Sequence, residues 1–281
     1  MRFPALRYSV DPAPLFKHGV LMVAALSVLL PAYFMLVTAF KSQTGYSLNK
    51  FDFPTPLIIG NFTTALRGGR FFLWFANSVI LSTGSVIVSI AVSTLAAFAF
   101  AKMQFTGRNF MLALNTALMV IPPVVMLIPL FLFLASIRLI GTYSGVILVY
   151  AGLVTPFSIY LLTNFFRTIP HEIVESALID GASALDVLLR IMLPLSGPAL
   201  VTLIVVNSLW VWNDLLIALV LLPQDNLRSL MVGITVFGSR YNNDVPVAMA
   251  GMFLASIPMM VLYLFGQKYF IRGLVAGAVK G

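Results

Sequence analysis

RTIPHEIVESALIDGASALDVLLRIMLPLS, running from Arg167 to Ser196, is a polar island between two long apolar runs. Connections between packed helices usually take two to eight residues, and structureless loops beyond about 15 are uncommon. This island is longer than that and carries its own helical pattern. Pro170 suits a first helical turn, and Glu172 places negative charge near the positive end of the helix dipole. Ile173, Val174, Ala177 and Leu178 fall on one stripe, with Glu172, Glu175 and Ser176 turned towards another. Gly181 is placed to end this helix in a left-handed conformation. Ser183 then caps a second helix, with Asp186 three residues on as in a capping box. Leu185, Leu188, Leu189 and Met192 repeat the amphipathic spacing, and Pro194 is expected to stop it. The segment reads as two short helices joined at an angle. Helices this short are marginal alone in water, so something packs on them. Lipid headgroups and a partner's cleft are the two candidates. Four acids (Glu172, Glu175, Asp180 and Asp186) against two basic residues favour the cleft, because membrane-surface helices are rich in Lys and Arg.

Outward from the island, composition sets the class. The chain is 60% hydrophobic and 9% charged, with a mean hydropathy of +1.01, whereas an ordinary soluble domain is about 25% charged. A spanning helix needs about 20 mostly apolar residues, and six runs qualify, at about 19–40, 75–101, 110–135, 143–166, 198–221 and 247–270. The expectation is an all-α integral membrane protein with six transmembrane helices in residues 18–270. A tail at 1–17 precedes them, the loop 167–196 interrupts them, and a tail at 271–281 follows. The first run is too long for a removed signal peptide and lacks its small-residue cleavage pattern.

A net charge of +8 would point to nucleic acid in a soluble chain. Here the basic residues flank the spans, so the surface they meet is the lipid membrane and no nucleic acid partner is expected. With no cysteine, disulfides and thiolate metal sites are excluded. His18 and His171 are too few for a histidine metal centre, and HEIVE at 171–175 has Glu175 where a zinc-protease pattern needs its second histidine. An even number of spans puts both termini on one side. That side carries ten of the 17 Lys and Arg residues, which favours cytoplasmic termini.

Within the spans, Ser85, Ser89, Ser93, Ala97 and Ala101 recur every four residues, a small face that lets a second helix approach closely. Pro122, Pro123, Pro129, Pro156 and Pro258 are expected to kink the third, fourth and sixth spans. Asp214, in SLWVWNDLLIALV, is an acid within the fifth apolar run. A charge at mid-bilayer costs about 2.5–3.5 kcal/mol on insertion scales, so it faces protein or a wet cavity. Two readings stand open: a translocation-pathway site with Asn213 and Trp210, or a structural pair with a neighbouring helix.

Glu175-Ser176-Ala177, three residues, Gly181, nine residues, then Ile191-Met192-Leu193-Pro194 resembles the EAA loop of binding-protein-dependent ABC importer permeases, with Ser176 in place of the first alanine. FFRTIP before it, WND at Trp212 to Asp214, and the tail RGLVAGAVKG are similar to the carbohydrate-uptake branch, of the maltose-transporter second-permease type. The resemblance implies a type I ABC importer permease fold in a bacterial inner (cytoplasmic) membrane, with multiple passes and both termini cytoplasmic. It implies that the loop forms coupling helices seated on an ATPase, with Glu175 against a basic residue, the bend at Gly181, and Glu172, Asp180, Ala182 and Ser183 in the same element. The tail Gly273–Gly281 would also reach towards the ATPase pair. Expected partners are a second homologous permease, an ATPase subunit dimer, an extracytoplasmic solute-binding protein and a sugar or related small solute.

No phosphate loop G-x-x-x-x-G-K-[ST] occurs in the chain, so no cofactor is expected on it; ATP and Mg would sit on the partner ATPase subunits. The chain is read as a transport subunit rather than an enzyme, since no cluster of nucleophile, base or metal ligands is visible. An ion-coupled secondary transporter is the rival class. It needs coupling carboxylates and often an inverted repeat, and Asp214 without a visible repeat argues against it. Residues Gln224, Asp225, Asn226, Arg240, Tyr241, Asn242 and Asn243, in the loop Pro223–Pro246, are candidates to touch the binding protein or the sugar, or to form an idle solvated loop.

Overall fold

The computed structural model describes residues 12–67, 70–240 and 244–278, and every regular element among them is helical. In chain order these are α1 (Pro12–Ala39), α2 (Gln43–Leu48), α3 (Gly60–Arg67), α4 (Phe71–Lys102), α5 (Arg108–Leu118), α6 (Pro123–Ser136) and α7 (Tyr143–Thr168). The polar island holds α8 (His171–Ile179), α9 (Ala184–Val187), a π-helical turn (Leu188–Met192) and α10 (Leu193–Leu195). After it come α11 (Gly197–Asn213), α12 (Leu216–Leu221), α13 (Leu230–Arg240) and α14 (Val245–Ala278).

Among the described residues, four segments are long and apolar enough to cross a membrane: Phe16–Ala39, Phe71–Lys102, Tyr143–Thr168 and Val245–Lys268. Two bent pairs bring the number of crossings to as many as six. They are α5 with α6, bent by 101°, and Ala184–Leu195 with α11, bent by 78°. The third apolar run is therefore two helices rather than one kinked one. Pro122 and Pro123 have no N–H to give the preceding turn, and Pro122, itself before a proline, is extended at φ −63°, ψ 130°. By contrast, α7 and α14 run through Pro156 and Pro258 without a break. Asn115 Nδ2 donates to the Pro156 carbonyl at 3.0 Å, tying α5 to α7, and Thr155 Oγ1 donates to the carbonyl of Ala151 at 2.7 Å.

The serine face of α4 lies against α7. Ser85, Ser89, Ser93 and Ala97 are fully buried, and a Cβ on Gly84 would come within 2.7 Å of Ile147. Phe98, Leu162, Phe166 and Leu203 bring α11 into the same core, and α14 packs on α11 and α1. At the end away from the polar island, the segment after α12 is pinned to α4. Asp225 pairs with Arg70 at 2.6 Å and Arg228 at 2.7 Å. Its carbonyl accepts from Trp74 Nε1, and Asn77 Nδ2 donates to the carbonyls of Asn226 and Arg228.

Gly233 on α13 lies so close to Trp74 that a Cβ would meet the indole at 2.2 Å. Gly233→Ala is expected to cost about 1–3 kcal/mol through overpacking and to lower the melting temperature of the detergent-solubilised chain. Gly19→Ala, which meets nothing within 4 Å, serves as the control. The N-terminal tail to residue 11, Tyr241, Asn242 and Asn243, and residues 279–281 lie outside the described residues. Of the expected tail, 273–278 continue α14.

Candidate functional site

The island folds into a bent helical hairpin whose joint is set by backbone chemistry. Gly181 sits at φ +87°, a region open to glycine and strained for other residues. Its N–H reaches the Leu178 carbonyl at 3.1 Å, and the N–H of Ala182 reaches that of Ala177 at 3.0 Å. This pair of bonds is the Schellman closure of a helix. Ser183 and Asp186 form the reciprocal capping box: Ser183 Oγ accepts from the Asp186 N–H at 3.1 Å, and Asp186 Oδ2 accepts from the Ser183 N–H at 3.2 Å. The Ser183 hydroxyl and N–H, and then Arg190, hold the Asp186 carboxyl below its ordinary value. This cap is accordingly present above the usual carboxylate range and weakens only as pH falls through the lowered value.

Pro194 does not stop the second helix, contrary to the expectation from sequence. The chain stays helical to Leu195. The π turn puts the Leu193 N–H on the Leu188 carbonyl, and Pro194 sits among the first residues of α10, where its missing N–H is tolerated. The sharp bend falls instead where α11 begins, at Ser196–Gly197.

One face of the hairpin is fused to the bundle. Val174, Val187, Leu188 and Met192 are buried against Ala97, Phe98, Phe166 and Leu203, each contributing roughly 1.5–3 kcal/mol. Lys102 Nζ, at the end of α4, donates to the Ile169 carbonyl at the hairpin entry. Ala177, Ala182, Ile191 and Leu193 are half-buried behind this face. The opposite face is open. Ile179 is 85% exposed, with Leu178, Leu185 and Leu189 exposed beside it, among Glu172, Glu175, Ser176, Asp180 and Pro194, which are also exposed. Glu175 Oε1 lies 3.7 Å from His171 Nδ1. The apolar stripe read from spacing thus divides. Val174 turns inward while Ile173 and Leu178 turn out, because only one flank of α8 meets the bundle.

The second group of residues lies at the far end of α11. The helix stops at Asn213, and Asp214 is extended at φ −68°, ψ 131°. Asp214 is therefore at a break rather than inside a continuous helix. Its Oδ2 accepts the N–H groups of Ile217 (3.0 Å) and Ala218 (3.1 Å), capping α12. The same oxygen accepts the Tyr150 hydroxyl of α7 at 2.8 Å. Tyr150 also meets Trp210 edge to face, with ring centroids 6.0 Å apart. Asn213 Nδ2 donates to the Leu209 carbonyl one turn back on α11, at 2.8 Å. Trp212 is buried, donating to the Ala255 carbonyl. Trp210, Asn213 and Asp214 border a depression of about 650 Å3 together with Tyr263 of α14. Tyr150 and Tyr263 carry no local sequence signal; only the packing of α7 and α14 on α11 brings them here.

This architecture has known counterparts. The profile of the family described as binding-protein-dependent transport system inner membrane component matches residues 89–275. The chain belongs to this family. The permease is 31% identical over 272 residues to the arabinooligosaccharides transport system permease of Halalkalibacterium halodurans, covering 95% of this chain and 96% of that one. It is 32% identical over 260 residues to the melibiose/raffinose/stachyose import permease of Bacillus subtilis, covering 92% and 94%. A chain in the crystal structure of a bacterial ABC transporter that imports the acidic polysaccharide alginate shares its fold, with a TM-score of 0.80 at 23% identity, covering 95% of this chain and all of that one. The chain is an inner-membrane permease of an ABC importer, a transport component rather than an ATPase. The ion-coupled alternative falls with that assignment.

Proposed function

We propose that this permease forms half of a translocation pathway for a sugar, beside a second homologous permease, and that the hairpin 171–195 couples it to ATP hydrolysis on a partner subunit. The single observation that carries the reading is the two-faced hairpin: one face buried in the ends of α4, α7 and α11, the other presenting Ile179, Leu185 and Leu189 among acids. A rigid element anchored on three spans transmits a displacement to all of them, whereas a floppy loop would absorb it. An exposed apolar ridge rimmed by carboxylates fits a basic-edged groove better than lipid. In this reading the hairpin and both termini are cytoplasmic, the end around Asp225 faces the solute-binding protein, and ATP and Mg are held by the ATPase pair. Trp210 and Asn213 are the pathway residues, an aromatic face for a sugar ring and an amide for its hydroxyls. Asp214 acts through the helix break that positions them.

Sugar as the solute class is supported by the relatives, whose names include arabinooligosaccharides, melibiose, raffinose, α-glucosides and diacetylchitobiose. The test is uptake by the complete transporter in proteoliposomes, with its binding protein, against a panel of arabinotriose, melibiose, raffinose, maltose and diacetylchitobiose. ATP-dependent accumulation of at least one is expected. Hydrolysis without accumulation of any of them contradicts the carbohydrate reading.

A further inference from the structure

Between α5 and α7, at the hairpin end of the bundle, lies a cavity of about 170 Å3. Six of its lining side chains are polar: Asn115 and Thr116 on α5, and Tyr160, Thr163, Asn164 and Arg167 on α7. Two of them are already committed. Asn115 Nδ2 donates to the Pro156 carbonyl and Thr116 Oγ1 to that of Leu112. Among the described residues, the side chains of Tyr160, Asn164 and Arg167 make no hydrogen bond or ion pair, and no carboxylate lines the cavity.

Thr163 is the second, independent sign of a ligand. It is 2% exposed, and its Oγ1 has no partner. Thr116 and Thr155 place their hydroxyls on the carbonyl four residues back, and Thr163 does not. A helical threonine has two accessible rotamers, so this hydroxyl can turn to a ligand in the cavity. Snorkelling to water would account for Arg167 alone; it leaves a buried hydroxyl and the neighbouring amide without a reason.

Arg167 stands one residue before the end of α7, and Tyr160 lies about 10 Å deeper along it. The cavity therefore straddles the boundary between headgroups and hydrocarbon. Beside it on α5, Met111, Leu114 and Leu118 are exposed. One unpaired guanidinium with hydroxyl and amide donors suits a phosphate group, and the apolar flank suits acyl chains.

We infer that this cavity binds the phosphate of an anionic phospholipid from the leaflet on the hairpin side. Arg167 pairs with one phosphate oxygen, Tyr160, Thr163 and Asn164 donate to the others, and the acyl chains run along α5. A zwitterionic headgroup fits less well, because its ammonium finds no carboxylate there. The site depends neither on the solute carried nor on which side of the membrane the hairpin faces.

The test titrates the complete transporter, purified in detergent and stripped of lipid, with phosphatidylglycerol under native mass spectrometry. Phosphatidylcholine and inorganic phosphate are run in parallel. One bound phosphatidylglycerol is expected on the wild type, held about tenfold more tightly than phosphatidylcholine. Arg167→Gln is expected to weaken it roughly 10- to 150-fold, as for one charge-assisted hydrogen bond, and Thr163→Val roughly 2- to 12-fold. Lys17→Gln, on α1 and outside the lining, is expected to change nothing. Thr163→Val exchanges an unpaired buried hydroxyl for a methyl, so the melting temperature of the lipid-free transporter is expected to hold or rise. Its loss of lipid then reports the site and not the fold. Equal retention of phosphatidylglycerol by wild type and Arg167→Gln, or equal affinity for the two lipids, overturns the inference. Displacement of phosphatidylglycerol by millimolar inorganic phosphate overturns the lipid assignment and gives the cavity to free phosphate.

Discussion

Gly181→Pro is expected to abolish uptake while the permease remains inserted in the membrane. Residue 181 sits at φ +87°, and proline holds φ near −65°, so the bend cannot form around it. Proline also removes the N–H that closes α8 on Leu178. The combined cost is about 3 kcal/mol or more, enough to leave under one hairpin in a hundred correctly bent. No atom lies within 4 Å of the place a Cβ would take, so Gly181→Ala carries only the left-handed backbone cost of about 1–2 kcal/mol and is expected to retain partial uptake. Glu175→Arg attacks the same surface by charge. Its side chain is 64% exposed, so reversal leaves the bundle intact and is expected to silence transport by repelling a basic groove. Uptake measured beside the amount of permease in the membrane fraction separates these cases. Normal uptake in both Gly181→Pro and Glu175→Arg would remove the coupling role.

Asp214→Ala is expected to give the largest loss of stability from a single side chain in the spans. It strands the Tyr150 hydroxyl, on a residue 1% exposed, at about 1–3 kcal/mol. It also uncaps α12, for about 1 kcal/mol more. The sum is roughly 2–4 kcal/mol, read as a lower melting temperature of the solubilised permease. Asp214→Asn keeps an acceptor for Tyr150 and is expected to retain both fold and uptake. Tyr150→Phe should make Asp214→Ala less costly, since the hydroxyl it strands is already gone. Equal losses with and without Tyr150→Phe would show that the pair does not act together.

The contrast between Gly181 and Asp214 marks what the sequence carries. Gly181, Ser183 and Asp186 were legible because caps and left-handed turns are local, fixed by residues within a few positions. The island's existence, its bend and its acids followed from the same chemistry. Asp214 was legible as an oddity but not in its role, because the partner that decides it, Tyr150, is 64 residues away on another helix. Pro122 and Pro156 make the same point in backbone terms. Both read as kinks, yet one opens into a 101° break and the other is absorbed. Val174 and Leu178 fell on one stripe in the sequence, and only the one-sided seating of α8 separates them.

The most direct measurement is the structure of the assembled transporter, imaged in a lipid nanodisc with its ATPase subunits. The account predicts that residues 171–195 lie in a groove of the nucleotide-hydrolysing subunit, with Ile179 and Leu185 covered and Glu175 facing a basic side chain. Finding those residues against headgroups or free in solvent, with the ATPase gripping some other part of the chain, would contradict it.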